Sequence, residues 1–428
     1  MDKYIIKGGK PLEGIVKISG SKNAALPLLT ASILNRGKVT LRNIPRLRDV
    51  YTMLELLQCT GVKIKHFQDE NIVEIDSSNL SSYKVPYEVV KKMRASFIIA
   101  GPLLSVFKKA SVSLPGGCAI GARPVDIHLK SFLKLGIVNS SKSGYINLKK
   151  DNKLDKNLDK EVVIMLDFPS VGATQNIIMA SVFEKRKVRI INYAKEPEID
   201  SLINFLLCMG ADIKKTENGE LLIKGVEKLK DEVDFSNIPD RIEAGTFMIA
   251  SMITRGDIKL VNIESEHLKN IVDKCIECGA LVKVTPKTII INSKTNLKPI
   301  KIKTLPHPGF PTDMQAQFCA MLSTVEGSSI IEESIFENRF MHVPELVRMG
   351  ASIFIENNIL FINGVEKFSA APVMASDLRA GAALVLAALA ACGKSEINRI
   401  YHIDRGYEDF ENKIKNLGGD IERVKPFY

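Results

Sequence analysis

The chain has 428 residues, of which 45% are hydrophobic and 25% charged, so it has the composition of a folded globular protein with two or three domains. Its formal net charge of +10 is compatible with binding to nucleic acid, to an acidic membrane surface or to small anions, but the sequence has no concentrated basic tail. Only 6% of the residues are aromatic, and none is tryptophan, which argues against a base-stacking nucleic-acid platform and favours small anionic ligands in a cleft.

The chain opens on strand-like sequence at residues 3–19, with no apolar segment typical of a secretory signal. Its longest weakly polar run, residues 380–392, has thirteen residues and is too short to cross a bilayer. We therefore expect a cytoplasmic protein with no membrane insertion.

Six internal repeats follow. Each has an apolar helical stretch that ends at a glycine and enters a short strand. The glycines stand at positions 61, 136, 210, 279, 350 and 418, with intervals of 75, 74, 69, 71 and 68 residues. Glycine at that place predicts a left-handed helix C-cap.

A helix rich in small apolar residues recurs in the same phase and leads into a strand. The six predicted helices cover residues 23–34, 94–106, 172–183, 243–253, 315–324 and 378–391. Their small side chains predict close packing inside the protein with sheets covering them. Because six units exceed a single core, we expect an α/β protein divided into three repeats plus three, with a midpoint near residues 238–240.

The segment Ser113–Pro124 is the strongest local motif. A strand-like run stops at Pro115 and gives way to a loop with three glycines, with Cys118 at its centre and Arg123 five residues later. Positive charge favours the thiolate, so this thiol is a candidate reactive group. From these residues alone, an incidental cysteine in a glycine-rich turn explains the pattern equally well.

Polar residues occupy equivalent places in the repeats. Those at the starts of the small-residue helices are Lys22, Asn23, Arg94, Ser170, Asp240, Arg241, Asp313, Asp377 and Arg379. Those that follow the repeat strands are Arg46, Arg48, Cys118, Arg123, Glu196, Glu198, Arg339, Asp404 and Arg405. Each alone is explained by a helix cap or an ion pair, but together they predict a site for a multiply anionic ligand, with Cys118 and Asp313 as a proton-transfer pair.

Other cofactor and metal signals are weak. The chain has no P-loop, no dinucleotide-binding glycine motif after a strand and no HExxH, so we expect no cofactor and no metal. The number of cysteines, seven, is odd, which argues against a disulfide framework. The Cys275-x-x-Cys278 pair is predicted to pack in the structure rather than to bind a metal. Cys59, Cys208, Cys319 and Cys392 are expected in the core.

Segments along the whole chain resemble the UDP-N-acetylglucosamine 1-carboxyvinyltransferase family, the enolpyruvyl transferases of peptidoglycan synthesis. They are residues 20–27, 93–96, 114–124, 169–174, 239–243, 310–315, 336–342, 377–380 and 402–407. The resemblance implies two inside-out α/β domains of three repeats each, with the active site in the cleft between the domains. It assigns residues 22–239 to one domain, and residues 1–21 with 240–428 to the other.

The implied reaction transfers the enolpyruvyl group of phosphoenolpyruvate to the 3-hydroxyl of UDP-N-acetylglucosamine and releases phosphate through a tetrahedral intermediate. It is the first committed step of peptidoglycan synthesis. By the same resemblance, Cys118 protonates the methylene carbon, can form an adduct with phosphoenolpyruvate and is the target of fosfomycin, whereas Asp313 is the base for the sugar hydroxyl.

The resemblance also implies substrate contacts. Those to phosphoenolpyruvate are Lys22, Arg123 and Arg405, with Arg339 and Arg379 nearby. Those to the UDP-sugar are Asn23, Arg94, Pro124, Val125, Asp126, Ile127, Ser170, Val171, Gly172, Asp313 and Ile335, and Asp377 joins the substrate-binding set. Phe168 and Arg48 depart from the family pattern, since other members carry lysine at these places.

Two alternatives stay open. A shikimate-pathway enolpyruvyl transferase would share the fold and phosphoenolpyruvate, although the cysteine-bearing Pro-Gly-Gly loop favours the UDP-sugar enzyme. A non-catalytic protein that binds a nucleotide sugar, an RNA or another anion would need only the positive charge.

Overall fold

A computed structural model describes residues 2–91, 93–113, 125–142, 144–151 and 161–425. These residues form two compact units. One, here called the Lys22 unit, consists of the described residues between 20 and 238; the other, the Asp313 unit, consists of Met1–Ser19 and Pro239–Tyr428 as far as they are described. The domain boundaries expected from the resemblance, at residues 21 and 239, remain a prediction.

Each unit contains three four-stranded sheets in the described residues. Those of the Lys22 unit, in spatial order, are β14 (Glu232–Ser236), β3 (Lys38–Arg42), β5 (Ile72–Asp76), β4 (Lys63–Phe67); β6 (Lys84–Val85), β7 (Lys109–Ser113), β9 (Tyr145–Lys150), β8 (Ile137–Lys142); and β10 (Val162–Met165), β11 (Val188–Ile191), β13 (Leu221–Lys224), β12 (Asp212–Lys215). Those of the Asp313 unit are β2 (Glu13–Lys17), β15 (Asp257–Val261), β17 (Thr288–Asn292), β16 (Leu281–Thr285); β18 (Lys301–Lys303), β19 (Ser328–Glu332), β21 (Ile359–Asn363), β20 (Ser352–Glu356); and β22 (Pro372–Met374), β23 (Lys394–Asn398), β1 (Lys3–Lys7), β24 (Asp420–Val424).

All six sheets have one topology. The first two strands are parallel, and the other two add in antiparallel fashion. In four sheets the two parallel strands follow one another in the chain and are joined by a crossover that contains a buried helix, whereas β3 and β14, and β2 and β15, come from distant parts of the sequence. In the last sheet the strand β1 comes from the start of the chain and pairs with β23 and β24. The predicted three-plus-three α/β architecture is therefore confirmed.

The helices complete these repeats. Those of the Lys22 unit are α1 (Lys22–Ala31), α2 (Arg48–Gln58), α3 (Tyr87–Val90), α4 (Ala100–Phe107), α5 (Asp126–Lys134), α6 (Val171–Ser181) and α7 (Pro197–Met209). Those of the Asp313 unit are α8 (Arg241–Ile253), α9 (Lys269–Glu277), α10 (Gln315–Leu322), α11 (Val343–Arg348), α12 (Leu378–Ala390) and α13 (Phe410–Asn416).

The small-residue helices lie inside each unit, as predicted. Nearly every residue of α1, α6, α8, α10 and α12 is buried, whereas most strands bury alternate residues only. Such helices can approach closely because small side chains leave room for the neighbouring backbone. A Cβ on Gly101 of α4, for example, would lie 2.5 Å from the backbone oxygen of Asn176 in α6.

The six repeat glycines all adopt the predicted left-handed conformation. Their φ angles, in chain order, are 95°, 76°, 100°, 104°, 93° and 89°. Glycine adopts positive φ without the steric cost that a Cβ imposes, so each of these residues lets the chain leave a helix and enter a strand.

The expectation of buried cysteines is wrong for three of them. Cys319 is buried in α10, but Cys59, Cys208 and Cys392 are exposed. Cys59 follows the last turn of α2, Cys208 lies on the outer side of α7, and Cys392 lies in the turn before β23. An apolar neighbourhood in the sequence did not distinguish the two faces of these elements. No helix within the described ranges is both long and apolar enough to cross a membrane.

Candidate active site

The centre of the Asp313 unit is a carboxylate held by two arginines. Oδ1 of Asp313 accepts a hydrogen bond of 2.7 Å from Nη2 of Arg339, and Oδ2 accepts one of 2.9 Å from Nη2 of Arg379. Both arginine side chains are only 5% exposed, against 27% for that of Asp313. Burial alone would raise the pKa of Asp313, but the charges of Arg379 and Arg339 outweigh it and hold this pKa well below its usual range.

Local sequence places Asp313 and Arg379. Asp313 lies in the 3-10 turn Thr312–Met314 that leads into α10, after Pro311. Asp377 caps α12, because its Oδ1 accepts hydrogen bonds of 2.8 Å and 3.0 Å from the backbone N–H groups of Arg379 and Ala380. The predicted substrate residue Asp377 therefore has a structural task at the start of the helix that carries Arg379.

A buried polar group supports Arg379 from behind. Nη1 of Arg379 donates a 3.2 Å hydrogen bond to the hydroxyl of Tyr407, which lies 2.9 Å from the hydroxyl of Thr246. Gln317 donates to the hydroxyls of both Thr246 and Tyr407. Burial raises the pKa of Tyr407, although the adjacent Arg379 opposes the shift, so the phenol stays protonated.

Glu333 organises the side of the site near Arg339. Nη1 of Arg339 donates a 2.9 Å hydrogen bond to the hydroxyl of Thr312, and that hydroxyl donates 2.7 Å to Oε2 of Glu333. Oε1 of Glu333 accepts the backbone N–H groups of Ile335 at 2.9 Å and Phe336 at 3.2 Å. The backbone at the predicted UDP-sugar residue Ile335 is therefore fixed by the carboxylate that also orients Arg339 through Thr312.

Arg405 is the last residue of the 3-10 segment Ile400–Arg405 and is half-buried. Ile400 and Ile403 of that segment are fully buried and anchor it to the core of the Asp313 unit. A Cβ on Gly381 of α12 would lie 2.7 Å from Cγ1 of Ile403, so the segment packs directly on the helix that carries Arg379.

The Lys22 unit carries the second group of predicted residues. Ser21 caps α1 by accepting a 3.3 Å hydrogen bond from the backbone N–H of Ala24, and Lys22 is the first residue of that helix. Nζ of Lys22 lies 3.2 Å from Oδ2 of Asp49 in the first turn of α2. These side chains are 11% and 6% exposed, so the ammonium is held in a largely desolvated place, with the half-buried Asn23 next in the helix.

The predicted UDP-sugar residues of this unit gather at two neighbouring helix starts. Val125 precedes α5, and Asp126 and Ile127 form its first turn. Ser170 caps α6 by accepting a 3.4 Å hydrogen bond from the N–H of Ala173, and Val171 and Gly172 begin that helix. A Cβ on Gly172 would lie 3.4 Å from His128 of α5, which shows that the two helix starts are adjacent.

Of the remaining predicted residues, some can be placed in the fold and three lie outside the described residues. Arg94 begins the 3-10 segment Arg94–Ile99, and Phe168 is 40% exposed two residues before Ser170. Cys118, Arg123 and Pro124 lie outside the described residues. The Lys22 and Asp313 groups belong to different units.

Sequence reasoning missed the supporting residues. Asp49, Glu333, Thr246 and Gln317 were not predicted, although each contacts a predicted residue or its partner. The one available signal was position, since Asp49 directly follows Arg48, which was singled out at that repeat position. Within the described ranges no cluster of three histidine, cysteine or acidic side chains could hold a metal ion.

Comparisons with known proteins match nearly the whole chain to carboxyvinyltransferases. The family model described as EPSP synthase (3-phosphoshikimate 1-carboxyvinyltransferase) matches residues 6–414. UDP-N-acetylglucosamine 1-carboxyvinyltransferase 2 of Carboxydothermus hydrogenoformans is 50% identical over 426 residues, which cover 99% of this chain and 100% of that protein. UDP-N-acetylglucosamine 1-carboxyvinyltransferase 1 of Clostridium acetobutylicum is 48% identical, with coverage of 99% and 100%.

Solved structures share the fold at lower identity. The enolpyruvyl transferase NikO of Streptomyces tendae has a TM-score of 0.89 at 22% identity, with 99% of both chains covered. EPSP synthase of Acinetobacter baumannii has a TM-score of 0.76 at 16% identity, with coverage of 99% of this chain and 100% of that one. At such identities the likeness supports the fold alone.

Proposed function

The chain belongs to the UDP-N-acetylglucosamine 1-carboxyvinyltransferase family, and we propose that it transfers the enolpyruvyl group of phosphoenolpyruvate to the 3-hydroxyl of UDP-N-acetylglucosamine. The observation that carries the proposal is the 50% identity over 99% of the chain with a relative of that name. The buried cationic groups of both units agree with it, because both substrates are anionic. Peptidoglycan synthesis is the process that this product would serve.

The proposed reaction has two steps. In the addition, the 3-oxygen of the sugar bonds to C2 of phosphoenolpyruvate, its proton passes to a base, and the methylene carbon gains a proton from Cys118. In the elimination, the methyl group of the tetrahedral intermediate loses a proton and the bond between C2 and the phosphate oxygen breaks. The products are the enolpyruvyl ether and inorganic phosphate.

Asp313 is the proposed base for the sugar hydroxyl. Its carboxylate is ionised at neutral pH, but two guanidiniums make it a weak proton acceptor. An anionic substrate that takes over part of the positive charge of Arg339 or Arg379 would raise the pKa of Asp313 and make it a stronger base. Substrate binding and base strength are thereby linked through the same two arginines.

The cations have separate proposed tasks. Lys22, Arg123 and Arg405 bind the phosphate and carboxylate of phosphoenolpyruvate, and Arg339 and Arg379 support them. Lys22 is suited to this because its side chain is only 11% exposed, and a desolvated cation attracts an anion more strongly than one in water. No cofactor or metal enters these steps, since the chemistry needs only proton transfer and charge stabilisation.

Binding of the UDP-sugar is assigned to residues of both units. In the Lys22 unit they are Asn23, Arg94, Pro124, Val125, Asp126, Ile127, Ser170, Val171 and Gly172, and in the Asp313 unit they are Asp313, Ile335 and Asp377. The helix starts at Asp126 and Val171 offer backbone N–H groups, which are suited to diphosphate oxygens.

A phosphate-release assay tests the proposal. The protein is incubated with phosphoenolpyruvate alone, with UDP-N-acetylglucosamine added, or with 3-phosphoshikimate added. We expect release only with the UDP-sugar, and mass spectrometry of the product should show the enolpyruvyl ether. Release only with 3-phosphoshikimate would instead support the second candidate, a shikimate-pathway enolpyruvyl transferase, which the description of the matching family model favours. Binding of the UDP-sugar without release under any condition would favour a non-catalytic binding protein.

A further inference from the structure

Arg423, near the end of the chain, contacts the segment that carries Arg405. Its Nη1 donates a 3.2 Å hydrogen bond to Oδ2 of Asp404, and its Nη2 donates to Oδ1 of the same carboxylate. Asp404 directly precedes Arg405 in the 3-10 segment Ile400–Arg405. A two-point contact between guanidinium and carboxylate fixes orientation as well as distance.

Arg423 is itself held by Glu411 and Tyr4, and its Nη1 also lies 3.5 Å from Oδ2 of Asp2. Its Nε donates a 2.9 Å hydrogen bond to Oε1 of Glu411, and its Nη2 donates 2.9 Å to the hydroxyl of Tyr4. That hydroxyl donates 2.7 Å to Oε2 of Glu411, and the guanidinium lies over the Tyr4 ring, 5.2 Å from its centroid. Tyr4 of β1 and Arg423 of β24 are direct neighbours across the two strands. We call Tyr4, Asp404, Glu411 and Arg423 the Arg423 cluster.

The cluster holds the short segment Ile400–Arg405 through the carboxylate of Asp404. Ile400 and Ile403 are buried and fix the segment by packing, but apolar contacts are not directional. Successive residues of a 3-10 helix point about 120° apart, so Asp404 can bind Arg423 while Arg405 points elsewhere. The contact of Asp404 with Arg423 therefore opposes rotation of the segment about its axis.

We propose that Arg423 is a positioning residue for Arg405, which it orients toward phosphoenolpyruvate through Asp404. This inference rests on the proposed function, because it takes Arg405 as a ligand of phosphoenolpyruvate. It assigns the paired terminal strands β1 and β24 a part in substrate binding, although Arg423 itself does not touch the substrate.

The test compares Michaelis constants for the two substrates in Arg423→Gln. We expect the KM for phosphoenolpyruvate to rise about tenfold, because a displaced binding group costs affinity steeply. The KM for UDP-N-acetylglucosamine should change less than about twofold, because the predicted ligand that directly follows a residue of the cluster is Arg405, which is assigned to phosphoenolpyruvate. Arg423→Lys should fall between, since lysine keeps the charge but lacks the planar fork.

Arg189→Gln is the matched control. Arg189 of β11 also ties neighbouring strands through carboxylates, with contacts of 3.0 Å and 3.1 Å to Glu161 and 2.8 Å to Glu220. It is no part of the proposed site, so the variant should have unchanged Michaelis constants whatever its loss of thermal stability.

A double-mutant cycle with Asp404→Asn completes the test. If Arg423 acts through Asp404, the double variant should be no worse than either single one. An unchanged KM for phosphoenolpyruvate in Arg423→Gln, or an equal rise for both substrates, would overturn the proposal. Should Arg423→Gln fail to fold, Arg423→Lys and Asp404→Asn decide by the same criterion. Lack of turnover by the unaltered protein would instead count against the proposed function.

Discussion

Asp313 and Arg379 form an ion pair whose 2.9 Å hydrogen bond joins Oδ2 to Nη2, and Arg379 is held from its other side by the hydroxyl of Tyr407 at 3.2 Å. The guanidinium thus has an anionic partner and a neutral one. Because its side chain is only 5% exposed, loss of the anionic partner would leave a buried charge with weak compensation. The same carboxylate therefore serves stability and the proposed chemistry.

Asp313→Asn should be inactive and unstable. The amide cannot accept the proton of the sugar hydroxyl, so we expect turnover to fall by about a hundredfold or more. The free energy of unfolding should fall by about 2–4 kcal/mol, because Arg339 and Arg379 lose their charged partner in a buried site. Phosphate release and urea denaturation measure the two effects. Asp234→Asn is the control, since Asp234 binds Arg42 at the exposed surface and should contribute less than about 1 kcal/mol.

The contribution of Asp313 to stability should disappear in acid. Its pKa lies well below the usual value in the folded protein, whereas in the unfolded chain it is about 3.9. The unfolded chain therefore binds the proton first, and the stabilising effect present above about pH 4 is lost as the pH falls toward the folded pKa. The difference in the free energy of unfolding between the protein and Asp313→Asn, measured from pH 7 to pH 3, should begin to shrink below about pH 4. A constant difference down to pH 3 would contradict the assigned shift.

Protonation of His342 should cause a second loss of stability, at a less acidic pH than that of Asp313. Burial lowers the pKa of His342 to about 4, and its Nε2 makes no hydrogen bond to the described part of the protein. Because the unfolded chain has a pKa of about 6.5 here, it binds the proton first, and the protein should lose about 3 kcal/mol as the pH falls from 6.5 to 4.

His342→Gln should remove that dependence and give a flatter stability profile between pH 6.5 and pH 4. His66→Gln is a graded control, because burial lowers the pKa of the half-buried His66 as well, but to a smaller extent. Identical profiles for the unaltered protein and His342→Gln would show that His342 does not titrate in this way.

The sequence predicted what is repeated, and it missed what depends on packing between distant segments. The glycine spacing located all six helix ends, since a left-handed C-cap is a local requirement of the backbone. The repeated small-residue helices also placed Asp313 and Lys22 at predicted helix starts. The partnership of Lys22 with Asp49, 27 residues later, depends on how α1 packs on α2, and no local pattern encodes it. Cys208 was misplaced for a related reason, because α7 is apolar on parts of both faces.

Cys118→Ser tests the role that the family resemblance gives to the thiol. An alcohol is a far weaker acid than a thiol, so protonation of the methylene carbon should fail and turnover at neutral pH should fall strongly. Fosfomycin should add once to the unaltered protein and not to Cys118→Ser, as measured by mass spectrometry. The exposed Cys59, Cys208 and Cys392 supply matched controls, because their serine variants should keep both turnover and the adduct. Full activity of Cys118→Ser would remove the proposed proton donor.

Gly101→Ala tests the close packing of the buried helices. The new Cβ would lie 2.5 Å from the backbone oxygen of Asn176, and Asn176 also accepts a 2.7 Å hydrogen bond from the N–H of Gly101. Neither backbone can yield without separating α4 from α6, so we expect a loss of about 1–3 kcal/mol in the free energy of unfolding.

Gly245→Ala is the matched control for that prediction. Gly245 also lies within a buried helix, but its added Cβ would meet only side-chain ends, with Sδ and Cε of Met314 at 2.9 Å and Cδ1 of Ile271 at 3.0 Å. Methionine can change rotamer, and alanine favours the helix over glycine by about 1 kcal/mol, so the net change should stay within about 1 kcal/mol. Equal losses for the two variants would show that the identity of the contacting atom does not decide the cost, because both added methyl groups would then be accommodated alike.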